Sequence, residues 1–460
     1  MRILFATAEL HPLVAVGGLA QAAAGLVHEL RAQGIEVEVA LPDYGAADLA
    51  EEESFALDVA RWAAPASARR GAHPAFGAVT LVDVPGIRRP HPYVDETGVG
   101  WPDNDARFLR FSAAVAALAR ESRPDLLHLN DWHTAAAVAG VEEGALPVVL
   151  TIHNLAYQGQ TGRGWLRRLG ARRSAFAQDG SCNPLAGGIA LADAVVVVSP
   201  TYREEVLRPE GGAGLDDLLR ARGAALVGIR NGIDVEIWDP EHDPHIPAPF
   251  AARDRAGKAD SRRALLARLA LPERPGPLAV AVTRLTEQKG FDLVLPLVPS
   301  LPELGLQIGI LGAGDASLVE AFRRAAAVQP GSLAFVEGYD EPLSHLLLAG
   351  GDLLLMPSRF EPCGLAQMQA MRYGTLPVVT DVGGLHDTVV DLAQSPTRGT
   401  GWRSPEVTTA AIRSTLERAV AGWADPERRA AAQARAMSAD WSWRGPAAEY
   451  VALYRRLIDR

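Results

Sequence analysis

Short apolar runs alternate with longer amphipathic stretches along most of the chain. In the first half the runs read RILFAT, VEVALP, LLHLN, PVVLTI and AVVVVS, and apolar residues recur at helical spacing in stretches such as 19–33 and 107–120. Consecutive Val, Leu and Ile residues are typical of strands that are buried on both faces of a parallel sheet. The pattern therefore predicts a doubly wound α/β domain over residues 1–240.

A proline-rich stretch interrupts this alternation at residues 241–260 and predicts a linker, because proline fits neither helix interiors nor central strands. Strand-like runs then resume with PLAVAVTR, LQIGILG, LAFVEG, DLLLMPS and LPVVTD, and they predict a second doubly wound domain over residues 261–441. The final residues, 442–460, predict a helix whose apolar stripe contains Trp443, Tyr450, Leu453 and Leu457. The fold class we expect is α/β, with two Rossmann-like domains facing a central cleft, since open parallel sheets bind ligands beyond the carboxyl ends of their strands.

The composition argues against several classes of partner. The 460 residues are 48% hydrophobic and 22% charged, which is the make-up of a globular protein. A formal net charge of -10 gives no general attraction to nucleic acid or to an anionic membrane, and no apolar run approaches the roughly 18 residues of a membrane span. Only Cys182 and Cys363 are present, too few for a disulfide framework, which predicts a cytoplasmic protein.

A charged loop between an apolar strand and a helix is the strongest candidate for a binding site. The segment PSRFEPCGLAQMQA covers residues 357–370 and places Glu361, Cys363 and Gly364 where the helix opens. Unpaired N–H groups at a helix start, such as those of Gly364 and Leu365, attract phosphate, whereas a carboxylate accepts hydrogen bonds from sugar hydroxyls. The segment predicts a sugar-nucleotide site, with Glu361 either facing the sugar or paired with Arg359 at the surface.

A second strand-to-helix loop supplies positive charge. Arg284 and Lys289 lie in RLTEQKG, between a strand at 278–283 and a helix that we expect to begin near Gly290. Lysine occurs elsewhere only at Lys258, against 43 arginines among the 45 basic residues. Two cations in this loop can neutralise a departing diphosphate; a solvated basic loop is the alternative.

Polar and small residues follow strands of the first half. Asp131 follows LLHLN, and His153 and Asn154 follow PVVLTI, so two adjacent strands deliver them to one rim of the sheet. Gly17 and Gly18 follow the first strand, where the lack of a Cβ allows either close approach to a ligand or a tight turn. The histidines show no metal-ligand spacing and no DxD pair follows a strand, so we expect no metal site.

Together these motifs resemble the signature of bacterial glycogen synthases and plant starch synthases. The resemblance extends over nearly the whole chain, since LTIHNLAYQG, VVSPTY, NGID, RLTEQKG, LGAGD, PSRFEPCG and GGLHDTV occur in the family's order. It implies the GT-B architecture, with the C-terminal helix packing back on the N-terminal domain. It also implies a retaining glycosyltransferase that extends an α-1,4-glucan with glucose from ADP-glucose and needs no cofactor.

The resemblance also implies roles for single residues. The residues implied to be catalytic are Glu361, His153, Asp131, Arg284 and Lys289. The residues implied to bind the nucleotide-sugar donor are Gly17, Gly18, Asn154, Asn231, Arg284, Lys289, Tyr339, Cys363, Gly364 and Leu365.

The chain departs from the family pattern at the first turn and after EPCGL. The family reads KTGGLAD at the first turn, whereas this chain has Ala15, Val16 and Gln21, and Ala366 replaces a threonine of the family. In relatives the lysine helps to hold the donor diphosphate and the aspartate its nucleotide. Two alternatives therefore stay open: an enzyme that uses UDP-glucose or another nucleotide sugar, and a weakly active glucan-binding protein.

Overall fold

The structure is a computed structural model that describes residues 1–45 and 47–460. These residues form two compact units, the first of residues 1–232 with 443–460 and the second of residues 233–442. Each unit is built on one mainly parallel sheet with helices packed on it. The predicted α/β class with two Rossmann-like domains is confirmed.

The strands and helices are numbered in chain order. The strands are β1 Arg2–Ala6, β2 Glu36–Pro42, β3 Ala50–Ala56, β4 Ser67–His73, β5 Gly77–Asp83, β6 Leu126–Asn130, β7 Val148–Ile152, β8 Ala177–Gln178, β9 Ser181–Cys182, β10 Ala194–Val197, β11 Leu226–Gly228, β12 Leu278–Leu285, β13 Gln307–Gly314, β14 Leu333–Glu337, β15 Leu353–Met356, β16 Leu376–Thr380 and β17 Trp402–Ser404. The α-helices are α1 Gly18–Ala32, α2 Asn104–Ser122, α3 Asp131–Ala135, α4 Pro184–Leu191, α5 Pro200–Val206, α6 Asp216–Ala221, α7 Ala256–Arg268, α8 Leu301–Leu304, α9 Ala316–Val328, α10 Glu341–Gly350, α11 Ala366–Arg372, α12 Gly383–Thr388, α13 Thr409–Trp423, α14 Pro426–Ser438 and α15 Arg444–Ile458.

The first sheet has the strand order β11-β10-β7-β6-β1-β2-β5-β4-β3, and its neighbouring strands are parallel except that β4 pairs antiparallel with both β5 and β3 at one edge. The sequence pattern did not predict this edge extension. The last strand, β3, exposes Glu51, Glu52 and Glu53, and charged side chains on an edge strand oppose pairing with another chain. The second sheet, β14-β13-β12-β15-β16-β17, is parallel throughout.

Both faces of the first sheet are buried. Leu127 and Leu129 of β6 belong to the apolar core that contains α2, whereas Leu126 belongs to the core that contains α1 and α15. The predicted stripe of α15 is buried in the latter core. Gly25 of α1 allows this packing, because a Cβ there would lie 2.1 Å from the indole Nε1 of Trp443.

The boundaries of the units differ from the predicted domain boundaries. Residues 241–260, predicted as a linker, lie inside the second unit. There the buried carboxylate of Asp243 accepts a 2.5 Å hydrogen bond from the Tyr373 hydroxyl and lies 2.8 Å from Nδ1 of His345. A proline-rich segment that has no helix or strand before α7 begins at Ala256 can therefore still be packed into a core, which its sequence pattern does not reveal.

Candidate active site

Three loops follow strands of the second sheet at the same edge. Arg284 lies near the end of β12, Tyr339 follows β14, and Glu361 follows β15. Because the six strands are parallel, their carboxyl ends all lie at one edge of the sheet. The structure thus brings the predicted donor-site loops of this unit to one edge.

Lys289 and Glu361 form an ion pair between two of these loops. The ammonium Nζ lies 2.6 Å from Oε2 of Glu361, with the side chains 18% and 7% exposed. The hydroxyl of Ser358 donates a 3.0 Å hydrogen bond to the same oxygen. Within the described chain no group bonds to the other oxygen, Oε1, which therefore stays free to accept from a ligand hydroxyl.

The backbones of the two loops approach closely at Gly290 and Pro357, which places Lys289 beside Glu361. Gly290 has a positive φ of 69°, and a Cβ there would lie 2.0 Å from the carbonyl oxygen of Pro357. Arg359 reaches back across the contact, and its guanidinium donates two 2.7 Å hydrogen bonds to Asp292. The expected alternative, a pair of Arg359 with Glu361, is therefore not formed.

The segment after Lys289 differs from the expected helix. It forms short 3-10 turns at Phe291–Leu293 and Leu295–Ser300, followed by α8, instead of an α-helix beginning near Gly290. Pro296, Pro299 and Pro302 account for the difference, because each lacks the N–H that a helix interior requires.

Arg284 and the amides at the start of α11 have no partner within residues 1–45 and 47–460. The Arg284 side chain is exposed, and the N–H groups of Gly364 and Leu365 donate no hydrogen bond. Cys363 is buried and forms no disulfide. Tyr339 is 75% exposed. A cation and two amides at this edge are thus available to an anionic ligand.

Asp131 is a buried carboxyl group of the first unit. It follows β6 with a φ of 54° and accepts hydrogen bonds from the backbone N–H groups of His153, at 2.7 Å, and Asn154. Burial raises the pKa of Asp131 to about 7, and the nearby charge of Glu9 adds to the shift, although the two amides oppose it. Asp131 and His153, which the sequence placed on one rim, are indeed in contact.

The tautomer of His153 follows from its neighbour. The side-chain Nδ2 of Asn130 donates a hydrogen bond to the carbonyl of Ala6 at 3.0 Å, so Oδ1 of Asn130 faces Nε2 of His153 at 2.9 Å. Because Oδ1 can only accept, Nε2 of His153 carries the hydrogen and donates this bond. Burial lowers the pKa of His153 to about 3, which leaves the ring neutral. Nδ1 then remains as an acceptor for a ligand hydroxyl.

Glu9 is a buried site residue that the sequence reasoning missed. Its Oε2 accepts hydrogen bonds from the N–H groups of Val16, at 2.7 Å, and Gly17, at 2.9 Å, while Oε1 accepts from the Tyr93 hydroxyl at 2.8 Å. Gly17 thus uses its amide inside the chain, and Gly18 begins α1. The available signal was a carboxylate directly after the first strand, ahead of a loop whose amides need an acceptor.

Asn231 and Asn154 complete the predicted set. Asn231 follows β11 and is buried, and its side-chain Oδ1 has no hydrogen-bond partner among the described residues. A buried orphan acceptor is costly unless a ligand or water satisfies it. Asn154 accepts from the N–H of Ala156 at 3.1 Å. The cluster of the first unit therefore offers mainly acceptors, which suits a ligand rich in hydroxyl groups.

Other classes of site find no support in the part of the chain that the structure describes. No group of three or more His, Cys, Asp or Glu side chains there is placed to hold a metal ion. Nor does any described helix combine the length and apolar character needed to cross a membrane.

Comparisons with known proteins show which families this chain resembles. Residues 2–221 match the family model of the starch synthase catalytic domain, and residues 267–437 match that of glycosyl transferases group 1. A glycogen synthase of Alkalilimnicola ehrlichii is 42% identical over 99% of this chain and 98% of its own, and one of Acidiphilium cryptum is 41% identical over the whole of both. The catalytic domain of starch synthase IV from Arabidopsis thaliana, bound to ADP and acarbose, has a TM-score of 0.88 at 31% identity, covering 100% of this chain and 99% of that domain.

Sequence identity of 41% to 42% over nearly the full length shows more than a shared fold. The motifs quoted above occur in both units. The chain belongs to the family of bacterial glycogen synthases and plant starch synthases, which are glycosyltransferases of the GT-B fold.

Proposed function

We propose that this protein extends an α-1,4-glucan by transferring glucose, with retention of configuration, from ADP-glucose to the non-reducing end of the chain. In this reaction the bond between the anomeric carbon and the diphosphate oxygen breaks, and a bond to the acceptor hydroxyl forms. The observation that carries the proposal is the Lys289–Glu361 pair, which sets a cation beside a carboxylate at one sheet edge. The full-length relatives named glycogen synthase support the choice of reaction.

On the donor side, the unpaired charge of Arg284 and the free amides of Gly364 and Leu365 bind the diphosphate. Lys289 stabilises the negative charge that the diphosphate gains as it departs. The open Oε1 of Glu361 accepts hydrogen bonds from the hydroxyls of the transferred glucose. Cys363 shapes the loop, and the exposed Tyr339 contacts the nucleotide.

On the acceptor side, His153 and Asp131 bind sugar hydroxyls at the reacting face. Neutral His153 accepts a hydroxyl hydrogen at Nδ1, and Asn231 offers its orphan Oδ1 in the same way. Gly17, Gly18, Asn154 and Asn231 also contact the nucleotide-sugar donor from the first unit. Both cysteines are buried and neither forms a disulfide, which agrees with the cytoplasmic location that belongs to this proposal.

The two alternatives are less well supported. Ala15 and Gln21 remove polar groups at the first turn, which motivated a binding protein or an enzyme with a different donor. The bacterial relatives that cover the whole chain are glycogen synthases, and the starch synthase structure contains ADP. ADP-glucose is therefore the donor that we propose.

The test is transfer of radiolabelled glucose to glycogen from ADP-glucose and, side by side, from UDP-glucose. We expect labelled glycogen from ADP-glucose, and a loss of about 100- to 1,000-fold in the Glu361→Gln variant. Glu337→Gln, which changes an exposed carboxylate of the same unit paired with Arg323, is the matched control and should keep its activity. Failure to label glycogen from either donor would refute the proposal.

A further inference from the structure

A chain of buried polar side chains joins the C-terminal helix to the first sheet. His128 of β6 lies at the centre, with Nδ1 2.7 Å from the hydroxyl of Tyr454 and Nε2 2.7 Å from Oγ1 of Thr151 in β7. The hydroxyl of Tyr450 lies 3.2 Å from the same Oγ1. Tyr450 and Tyr454 belong to α15, and all four residues are at most 1% exposed.

Counting donors and acceptors shows which groups donate in the hydrogen bonds of His128. Burial lowers the pKa of His128 to about 3 and holds the pKa of Tyr454 well above its ordinary value, so the imidazole is neutral and the phenol keeps its proton. His128 is the one hydrogen-bond partner of the Tyr454 hydroxyl among the described residues, so that hydroxyl must donate to Nδ1. Nε2 of His128 then carries the proton and donates to Oγ1 of Thr151, which also shares a hydrogen bond with the hydroxyl of Tyr450.

The bonded residues lie just ahead of the acceptor-side cluster. In the parallel pairing of β6 and β7, Asn130 stands opposite Thr151. Two residues beyond His128 is Asn130, which bonds to the ring of His153, and His153 itself is two residues beyond Thr151. The His128–Thr151 bond therefore ties the two strands together one step before their ends deliver Asp131 and His153.

We propose that Tyr454 and Tyr450 are positioning residues for the transfer reaction: through His128 and Thr151 they fix the relative placement of the strand ends that carry Asp131 and His153. This inference rests on the proposed function, in which those two residues bind the acceptor. It assigns α15 a role beyond covering the sheet.

The polar groups of these four hydrogen-bonded side chains are the evidence for such a role. The rings of Tyr450 and Tyr454 already pack in the apolar core with Leu453 and Leu457, and phenylalanine would supply the same apolar contact. Burying two phenols, an imidazole and a hydroxyl is costly unless each is satisfied. What the hydrogen bonds add is a single allowed geometry for β6 against β7, and small displacements of reacting groups have large effects on rate.

The experiment compares Tyr454→Phe and Tyr450→Phe with wild type. Each variant keeps its ring and loses one hydroxyl, and Tyr454→Phe leaves Nδ1 of His128 without a donor. We expect kcat for glucosyl transfer to fall about tenfold. The KM for the donor should change less than about twofold, because neither variant alters Arg284, Lys289 or the amides of Gly364 and Leu365, which bind the diphosphate in the proposal. Tyr373→Phe is the control, because its buried hydroxyl bonds to Asp243 in the second unit; its melting temperature should fall as much, without the loss of kcat.

Imidazole 15N NMR provides a readout that does not depend on activity. His128 should appear as the Nε2–H tautomer in wild type, and Tyr454→Phe should shift the signal of His153, with both signals assigned from the His128→Gln and His153→Gln variants. An unchanged kcat in both tyrosine variants, or a loss shared by Tyr373→Phe, would overturn the inference. If wild type transfers no glucose, the proposed function fails, and an unmoved His153 signal then rejects the inference separately.

Discussion

Removing Lys289 alone should cost far more stability than removing both partners of the Lys289–Glu361 pair. At an effective dielectric of about 20, unit charges 2.6 Å apart attract by about 6 kcal/mol, and desolvation of the two groups offsets part of this. Lys289→Met leaves a carboxylate that is 7% exposed with only the Ser358 hydroxyl as partner, so we expect a loss of about 3 kcal/mol in the free energy of unfolding. Glu361→Gln leaves the more exposed ammonium and should cost about 1 kcal/mol.

The double variant is the informative member of the cycle. Lys289→Met with Glu361→Gln removes both charges together, so its free energy of unfolding should lie within about 1 kcal/mol of wild type, which corresponds to a coupling energy of about 3 kcal/mol. Glucosyl transfer should stay at least about 100-fold below wild type in the double variant, because neither group is then present for the diphosphate or the sugar.

The assay is urea unfolding of the four proteins, with transfer from ADP-glucose to glycogen measured on the same preparations. The control cycle uses Arg359→Met and Asp292→Asn, since that pair is 29% and 37% exposed and should couple by no more than about 1 kcal/mol. Additive stability losses at Lys289 and Glu361 would refute the reasoning. So would recovery of transfer in the double variant.

Further predictions concern pH and the donor. Because the pKa of Asp131 is raised to about 7, the folded state keeps a proton up to about pH 7 that the unfolded state has already released. The free energy of unfolding of wild type, measured in urea, should therefore fall from pH 5 to pH 7. The Asp131→Asn variant should show a smaller fall. Burial lowers the pKa of Lys258 to about 7, so the unfolded state binds more protons above pH 7; stability should rise from pH 7 to 9 in wild type and stay flatter in Lys258→Met. Ala15→Lys should lower the KM for ADP-glucose about tenfold by adding a charged contact with the diphosphate, and an unchanged KM would contradict this. Arg284→Gln should raise that KM by a similar factor in the same assay, without loss of thermal stability, because the exposed side chain has no partner within the described residues.

The sequence predicted ten strands of the two large sheets, β1, β2, β6, β7, β10 and β12 to β16, because apolar residues dominate their runs. It missed β5, β11 and β17. It also failed where the pattern is mixed: β3 reads AEEESFA, with three exposed glutamates, and β4 reads SARRGAH. Such strands are held by neighbours rather than by their own burial, so their apolar pattern is weak. The same limit applies to residues 241–260, whose place inside the second unit depends on contacts such as that of Asp243 with Tyr373.

Prediction of the candidate site from the sequence was also incomplete. The motifs placed Glu361 and Lys289 in one expected site, but the sequence suggested Arg359 as the alternative partner of Glu361. The choice of Lys289 depends on Gly290 resting against Pro357, a contact between segments far apart in the chain. Sequence reasoning missed Glu9 for a related reason. Two of its hydrogen-bond partners are backbone N–H groups, which cannot be recognised from residue type.

Asp131 and Glu361 are buried carboxyl groups held in different ways, and the proposed reaction would use them differently. Asp131 accepts hydrogen bonds from backbone N–H groups, so these contacts are already formed in the free protein. Glu361 is paired with the side chain of Lys289. In the proposed reaction, Arg284 and the amides of Gly364 and Leu365 would bind the diphosphate without breaking any bond, whereas Lys289 would have to share its charge between Glu361 and the leaving group. That sharing would become favourable as the diphosphate gains charge, so we expect Lys289 to contribute most in the transition state.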